Sequence, residues 1–218
     1  MSQSRLSTAL ADGLLPLPDG NIGIMRPPIT YDASALLRDR VRIIHGFLPD
    51  YAAWQTAGFA MAQSLAQTDV AIVVVPRAKT FARAMIAEAC TRSKLVIVDG
   101  QKTDGVDSLF KACRKILGDL PSVTKAHGRM FWFAATDVFA DWAAPELSKG
   151  AHGFYTAPGV FSDGAVDAGS ALLGDSLPPK LPARMADLGA GWGYLAGPVL
   201  ARDGVQSLDL IEAEAVSL

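Results

Sequence analysis

Three alternating glycines occur in the sequence Asp187-Leu188-Gly189-Ala190-Gly191-Trp192-Gly193-Tyr194-Leu195. Apolar residues come before them, and a helix-type segment, Trp192–Leu200, follows, so the pattern predicts a strand, a glycine turn and a helix. Glycine has no Cβ, so the three glycines are expected to take positive φ and let a ligand approach the backbone closely. The unpaired N–H groups at the start of the predicted helix would point at that ligand.

A second strand pattern, Val205–Ile211, ends at Glu212. An acid at the tip of this strand can accept hydrogen bonds from both hydroxyls of a ribose, and Asp187 adds an acceptor at the tip of the first strand. Counted from Gly189, the glycines fall as G-x-G-x-G, and a tyrosine, Tyr194, stands where a dinucleotide fingerprint has its third glycine. The spacing therefore argues against a dinucleotide site, and the order of strand, turn, helix, strand and acid favours a different nucleoside-type cofactor.

The pattern D-x-G-x-G-x-G resembles motif I of the class I S-adenosylmethionine-dependent methyltransferases. Upstream, Tyr155–Gly164 and Asp167–Leu173 resemble the P-G-V-F-S…D-x-G-S-x-x-L-L segment of the methyltransferase small family. The nearest match within that family is the bacterial small-subunit ribosomal RNA guanine-N2 methyltransferases. The resemblance is specific over residues 155–212 and rests on layout alone over residues 20–135.

The resemblance implies an α/β fold of the Rossmann-like class I methyltransferase type. It implies a degenerate amino-terminal α/β domain that no longer binds cofactor (1–141), a connection (142–182) and the start of an incomplete methyltransferase domain (183–218). Two strands and one helix do not bury their own faces, so we expect a fragment or a truncated chain, with packing of these elements onto the amino-terminal domain as the alternative. Apolar strands left uncovered at Met185–Leu188 and Leu208–Ile211 would favour aggregation or a dimer.

By the same resemblance the cofactor is S-adenosylmethionine. Its methionine end is assigned to Asp187, Gly189, Gly191 and Gly193, its ribose to Glu212, and its covering loop to Phe161 and Ser162. Other interpretations remain open at several of these positions. Phe161 is equally well a hydrophobic plug between the domains, and Asp167 could instead cap the helix that follows it. Trp192 could shield the cofactor, although packing is favoured. Asp209 rivals Glu212 as the ribose acid, although it falls on the opposite face of its strand.

The family's catalytic N-P-P-[FY] motif is absent from the sequence, so no catalytic residue is assigned. The resemblance implies a methyltransferase that acts on a guanine amine of ribosomal RNA, with ribosomal RNA or the small ribosomal subunit as partner. We expect the 218-residue chain alone to be inactive. The alternatives are a non-catalytic RNA-recognition or scaffold module and, less favoured, another nucleotide-binding α/β protein such as a dehydrogenase.

Strand and helix patterns alternate along the whole amino-terminal half, which favours α/β layering with right-handed crossovers. Strands are predicted at residues 21–26, 40–47, 69–75, 94–98 and 128–134, and helices from 32 to 38 and at 49–65, 79–90, 106–117 and 167–173. The continuous apolar run at 69–75 indicates a strand buried on both faces. Consecutive aromatics in Phe131–Phe133 alternate faces and favour a buried strand over a base-stacking platform.

The amino-acid composition limits how the protein could attract nucleic acid. Half of the residues are hydrophobic and 19% are charged, and the net charge of −2 provides no global attraction for nucleic acid. Any RNA contact would need a local basic surface, for which the candidates are Arg38, Arg40, Arg42, Arg77, Lys79, Arg83 and Arg92. A solvated helix face is the default explanation of such charges.

Neither a metal site nor a membrane segment is expected from the sequence. Cys90 and Cys113 lack partners at metal-binding spacing and are predicted to be buried thiols, and the histidines (His45, His127 and His152) are scattered. The first 15 residues do not form a signal peptide, and no apolar run approaches the roughly 20 residues of a membrane helix. We therefore expect a cytoplasmic protein.

Overall fold

A computed structural model describes residues 4–145, 147–149 and 153–217, with the backbone alone for residues 163 and 164. His152 lies outside the described residues. The chain divides into two compact units. The first comprises the residues up to His45 and Pro49–Ala144, and the second comprises Gly46–Leu48 and the residues from Pro145 onward. The predicted domain boundaries at residues 141 and 182 stay a prediction.

The first unit is a seven-stranded sheet with helices on both faces. In chain order its elements are α1 (Arg5–Ala11), β1 (Ile22–Met25), β2 (Val41–Ile44), α2 (Leu48–Thr56), β3 (Ala60–Ala62), β4 (Val70–Val74), α3 (Lys79–Arg92), β5 (Leu95–Gln101), α4 (Val106–Leu117), β6 (Ser122–Lys125) and β7 (Gly128–Ala134). Short 3₁₀ turns lie at Arg38–Arg40, Lys102–Asp104 and Asp137–Trp142.

The strand order is β3-β2-β1-β4-β5-β7-β6. The first five of these strands are parallel, and β7 runs antiparallel to both of its neighbours. The order 3-2-1-4-5 is that of a doubly wound Rossmann sheet, in which ligands bind where the strand order reverses, here between β1 and β4. The α/β, Rossmann-like prediction is confirmed.

Strand side chains of this unit alternate between two cores. In β4, Val70 and Ile72 belong to the core beneath α1 and α2, whereas Ala71 and Val73 belong to the core beneath α3 and α4. In β7, Trp132 points into the first core and Phe131 and Phe133 into the second, and all three are buried. The predictions that β4 is buried on both faces and that the aromatic strand is structural are both confirmed.

Two predicted helices of this unit are wrong in whole or in part. Asp32–Arg38 is not a helix start, because the carboxylate of Asp32 accepts from the backbone N–H and the hydroxyl of Ser34 and folds the chain into a turn. The predicted helix 49–65 ends at Thr56, since Gly58 takes a left-handed φ of +82° and reverses the chain. β3 follows it and pairs with β2.

Three elements of this unit have no counterpart in the sequence prediction: α1, β3 and β6. Ser4 caps α1 by accepting from the N–H of Ser7, and Leu6 and Ala9 bury its inner face. β6 joins β7 through Ala126 and His127, both at positive φ (+49° and +54°). These are φ values for which glycine or asparagine is the usual sequence signal, and that signal is missing here.

The second unit contains β8 (Ser148–Lys149), β9 (Tyr155–Thr156), a 3₁₀ turn (Phe161–Gly164), α5 (Ala168–Ser176), β10 (Arg184–Leu188), α6 (Ala196–Leu200) and β11 (Ser207–Ile211). β10 and β11 form a parallel pair, in which Asp187 lies opposite Leu210 and Leu188 opposite Ile211. Leu188 is 76% exposed and Ile211 52% exposed, so these apolar strands are uncovered as predicted.

The helix predicted at Trp192–Leu200 begins only at Ala196. Gly193 has a φ of +85°, which interrupts a right-handed helix, and Trp192 to Leu195 form turns instead. The predicted helix start at Trp192 is therefore wrong.

Cys113 in α4 is buried and Cys90 in α3 is partly buried, and both carry free thiols. Burial raises the pKa of both thiols, that of Cys113 to about 12, so neither is a reactive thiolate near neutral pH. Among residues 4–145, 147–149 and 153–217, no group of three or more His, Cys, Asp or Glu side chains is arranged to hold a metal ion. None of the helices described there has both the length and the apolar character to cross a membrane.

Candidate cofactor site

The glycine loop connects β10 to α6 at the carboxyl end of the parallel pair. Gly189, Gly191 and Gly193 have φ values of +82°, +55° and +85°, as the sequence predicts for glycines in this turn. The loop is tied back to β11, because the carbonyl of Ile211 accepts from the N–H groups of Gly189 (2.8 Å) and Ala190 (3.1 Å). The turn is therefore fixed to the tip of the neighbouring strand.

Glu212 directly follows β11 and reaches the centre of the loop. Its Oε2 accepts from the N–H of Gly191 at 2.8 Å, and its Oε1 accepts from the N–H groups of Ala213 (2.7 Å) and Glu214 (2.9 Å). Burial raises the pKa of the Glu212 carboxyl, but the three N–H donors outweigh burial and hold the pKa below the ordinary value of 4.5. Glu212 is therefore a carboxylate at neutral pH.

Asp187 lies at the end of β10, on the side of a small pocket of about 70 Å³. The pocket is lined by Phe161, Asp167, Ser170, Asp187, Gly189, Ala190, Gly191, Trp192, Tyr194 and Leu195. The Oδ2 atom of Asp187 is buried and has no hydrogen-bond partner among the described residues. A buried carboxylate oxygen without a donor is costly, so this atom is an open acceptor for a polar or cationic ligand group.

Asp209 lies away from this loop. In the parallel register it is opposite Ala186, on the strand face that also carries the exposed Leu188 and Ile211. Strand side chains alternate between faces, so Asp209 and Asp187 point to opposite sides of the pair. The geometry brings Glu212, and not Asp209, to the glycine loop.

The segment that resembles the family's covering loop lies beside the glycine loop. Phe161 lines the pocket, and a Cβ at Gly191 would stand 3.9 Å from the Cβ of Phe161. The ring of Phe161 is 62% exposed, so it is not a buried plug within the second unit. Ser162 is exposed and does not line the pocket, and it has a φ of +63°, an uncommon value for a residue other than glycine.

Two neighbours of the loop have structural roles that the sequence left open. The Asp167 side chain caps α5 by accepting from the N–H of Ser170 at 2.9 Å. Trp192 packs between Phe154 and Tyr194, with ring centroids 5.2 and 5.6 Å away, which supports its interpretation as a packing residue. Tyr194 also lines the pocket, and the sequence analysis did not predict this. Gly193, directly before it, indicates that this position still belongs to the glycine loop.

The first unit has a different arrangement at the corresponding strand end. β1 is followed by Arg26, at a φ of +55°, and then by Pro27 and Pro28, so the glycines are replaced by residues that offer few free amides. The Arg26 guanidinium lies 5.3 Å from the ring centre of Phe81. The prediction that this unit does not bind cofactor fits this geometry and stays a prediction.

Several of the seven candidate basic residues have partners within the first unit. Arg40 donates to the backbone carbonyls of Gly20 and Pro18, while Arg38 and Arg83 lie over the rings of Phe59 and Trp142. Lys79 and Arg92 stand at opposite ends of α3, whose 14 residues span about 20 Å. Several of these cations therefore serve the fold of the first unit.

Known proteins share both the segment and the fold. Residues 151–218 match the family model described as "Methyltransferase small domain". The resemblance to the methyltransferase small family is confirmed. This family segment contains every residue that lines the pocket, from Phe161 to Leu195, and it also contains Glu212.

Relatives of the chain carry the name "Ribosomal RNA small subunit methyltransferase C". The protein of that name from Hahella chejuensis is 28% identical over 167 residues, which are 70% of this chain and 48% of the relative. The one from Psychromonas ingrahamii is 44% identical over 61 residues, which are 28% of this chain and 18% of the relative. The chain thus spans about half the length of the relatives that it matches most extensively.

A solved structure shares the fold. It is a T. thermophilus 16S rRNA N2 G1207 methyltransferase (RsmC) in complex with AdoMet and guanosine, with a TM-score of 0.70 and 20% sequence identity. The match covers 93% of this chain and 61% of that chain. It therefore includes the amino-terminal unit, for which the sequence resemblance rested on layout alone.

Proposed function

We propose that the second unit binds S-adenosylmethionine at the glycine loop and that the whole protein methylates a guanine N2 amine in small-subunit ribosomal RNA. The observation that carries the proposal is the open acceptor of Asp187 beside a glycine loop whose other side is held by the Glu212 carboxylate. An acceptor at each strand tip suits a ligand with a cationic amino-acid end and a ribose. The names of the relatives and of the solved structure support the choice of cofactor and substrate class.

Different residues would bind the methionine end and the ribose of this cofactor. The Asp187 carboxylate would accept from the ammonium of the methionine end, and Glu212 from ribose hydroxyls. Phe161, with most of its ring exposed, would cover the ligand from the side of the preceding loop. The cofactor supplies an electrophilic methyl group when bound, and the residues of this chain hold and orient it.

Binding to the chain itself tests the proposal. Calorimetric titration with S-adenosylmethionine, S-adenosylhomocysteine and NAD⁺ separates the nucleotide classes. We expect the first two to bind and NAD⁺ not to bind. Binding of NAD⁺ alone would favour a dehydrogenase-type protein. A folded protein that binds none of the three, yet binds ribosomal RNA, would favour a recognition or scaffold module.

For the whole protein, the proposed partner is ribosomal RNA or the small ribosomal subunit, and the proposed location is the cytoplasm. The RNA proposal rests on the named relatives. Transfer of a labelled methyl group to deproteinised small-subunit RNA, followed by nucleoside analysis, would identify the modified base. Label in any nucleoside other than an N2-methylated guanosine would refute the assignment of the target amine.

A further inference from the structure

Glu212 holds the glycine loop, and under the proposed function it also stands where a ribose would bind. The Gly191 N–H lies at the middle of the loop, and its acceptor is the Oε2 atom of Glu212, 2.8 Å away. The two loop amides that precede it, those of Gly189 and Ala190, donate to the carbonyl of Ile211. Among the described residues, the bond from the Gly191 N–H to Glu212 is therefore the one hydrogen bond that a side chain accepts from an amide of the glycine loop.

The Glu212 carboxylate is itself anchored. Its other oxygen, Oε1, accepts from Ala213 and Glu214. The backbone of this segment is fixed in turn by residues 46–48, because Leu48 donates to the carbonyl of Ala213 at 2.8 Å and Ala215 donates to the carbonyl of Gly46 at 3.0 Å. The carboxylate is thus presented to the loop from a backbone with its own partners.

A carboxylate offers about four acceptor positions, and the three backbone donors leave roughly one of them open. A ribose hydroxyl can therefore reach Glu212 while the loop remains held. The pocket beside Asp187 exists in this held conformation, with Gly191 and Phe161 in its wall. A loop fixed before the ligand arrives loses less conformational freedom on binding.

We propose that Glu212 is a positioning residue for the glycine loop and that it raises affinity for the nucleoside even where no ribose hydroxyl contacts it. This inference rests on the proposed function and adds a second role to the same carboxylate. If Glu212 acted only through the ribose, its substitution would not change the affinity for a nucleoside that lacks both ribose hydroxyls.

The test uses Glu212→Gln with Asp209→Asn as the matched control, since Asp209 lies on the opposite face of the strand that Glu212 follows. The glutamine keeps one acceptor oxygen, which the two donors at residues 213 and 214 favour, so its NH₂ group faces the Gly191 N–H. Two donors then oppose each other. Loss of a hydrogen bond to a charged acceptor is expected to speed amide exchange at Gly191 by about tenfold or more.

Ligand binding is measured with adenosine and with 2′,3′-dideoxyadenosine by NMR titration. We expect Glu212→Gln to weaken both nucleosides and to speed exchange at Gly191, while Asp209→Asn changes neither. Weaker binding of adenosine alone, with Gly191 exchange as in the unaltered protein, would overturn the positioning role. If neither nucleoside binds the unaltered protein, titration with S-adenosylhomocysteine decides the cofactor proposal, and the Gly191 exchange rate alone decides whether Glu212 holds the loop.

A pH titration of the unaltered protein covers the case in which the variant does not fold. The Gly191 amide signal should move as Glu212 is protonated, at a pH below the ordinary glutamate value of 4.5. A Gly191 signal that stays constant while the Glu212 side-chain signal titrates would contradict the bond.

Discussion

The Oε2 atom of Glu212 lies 2.8 Å from the backbone nitrogen of Gly191. The acid that follows β11 is therefore hydrogen-bonded to the centre of the glycine loop that follows β10. The two parts are 21 residues apart in sequence. Parallel pairing of β10 and β11 ends both strands at the same edge and brings these parts together. The site is thus a consequence of strand register.

Gly191→Ala should weaken cofactor binding. The glycine has a φ of +55°, where an added Cβ costs about 1–2 kcal/mol. Gly13→Ala is the control, because Gly13 has a similar φ of +66°, has no atom within 4 Å of an added Cβ, and lies outside the site. We expect both variants to unfold at lower denaturant concentration. Only Gly191→Ala should lose affinity for S-adenosylhomocysteine, and equal affinities in the two variants would argue against a role of the loop in binding.

Phe161→Ala should reduce affinity with little effect on stability. Phe161 is 62% exposed, so folding buries little of it. If a bound cofactor covers the ring, its loss should lower affinity by about tenfold, from the apolar surface that is no longer buried. Calorimetry and thermal unfolding measure the two quantities. A large loss of stability with unchanged affinity would show that Phe161 is a packing residue.

Arg5→Met should destabilise the first unit strongly. Arg5 donates to the Asp99 carboxylate, and both side chains are largely buried. Removal of one partner from a buried pair costs about 3–5 kcal/mol, because the remaining charge is left without compensation. Lys94→Met removes an exposed partner of Asp69 and should change the unfolding midpoint little. Chemical denaturation of the two variants provides the comparison.

The pH dependence of Arg5→Met follows from Asp99. Burial raises the pKa of this carboxyl above the ordinary 3.8 even though Arg5 lowers it. A folded-state pKa above the unfolded value contributes stability at low pH, and this contribution is lost as the pH rises through the folded value. Without Arg5 the pKa of Asp99 rises further, so the Arg5→Met variant should be more stable at about pH 5 than at about pH 8. Equal loss of stability at the two pH values would show that Asp99 does not change its protonation state between them.

Sequence patterns predicted those elements whose limits are set locally. α4 was predicted with its observed limits, because its apolar side chains recur at helical spacing and Gly105 and Gly118 stand at its two ends. β4 was predicted from its continuous apolar run, which pairs on both sides in the sheet. The glycine loop and Glu212 were predicted because each directly follows a strand pattern, and parallel pairing of these two strands ends both at the same edge.

Elements that depend on distant partners were not predictable in the same way. β3 is a three-residue strand without β-branched side chains, and it exists through pairing with β2. The hairpin between β6 and β7 turns on Ala126 and His127, whose types give no turn signal. The late start of α6 depends on the left-handed φ of Gly193, which a helix-type pattern alone does not reveal.

The open acceptor of Asp187 is the most direct point at which to test cofactor binding. Asp187→Asn and Asp209→Asn make the same chemical change on opposite faces of the β10–β11 pair. We would titrate S-adenosylhomocysteine into both variants and the unaltered protein by calorimetry. Asp187→Asn is expected to lower affinity by about tenfold or more, through loss of a hydrogen bond to a charged group, with Asp209→Asn unchanged. Unaltered affinity in Asp187→Asn would contradict a cofactor site at this loop.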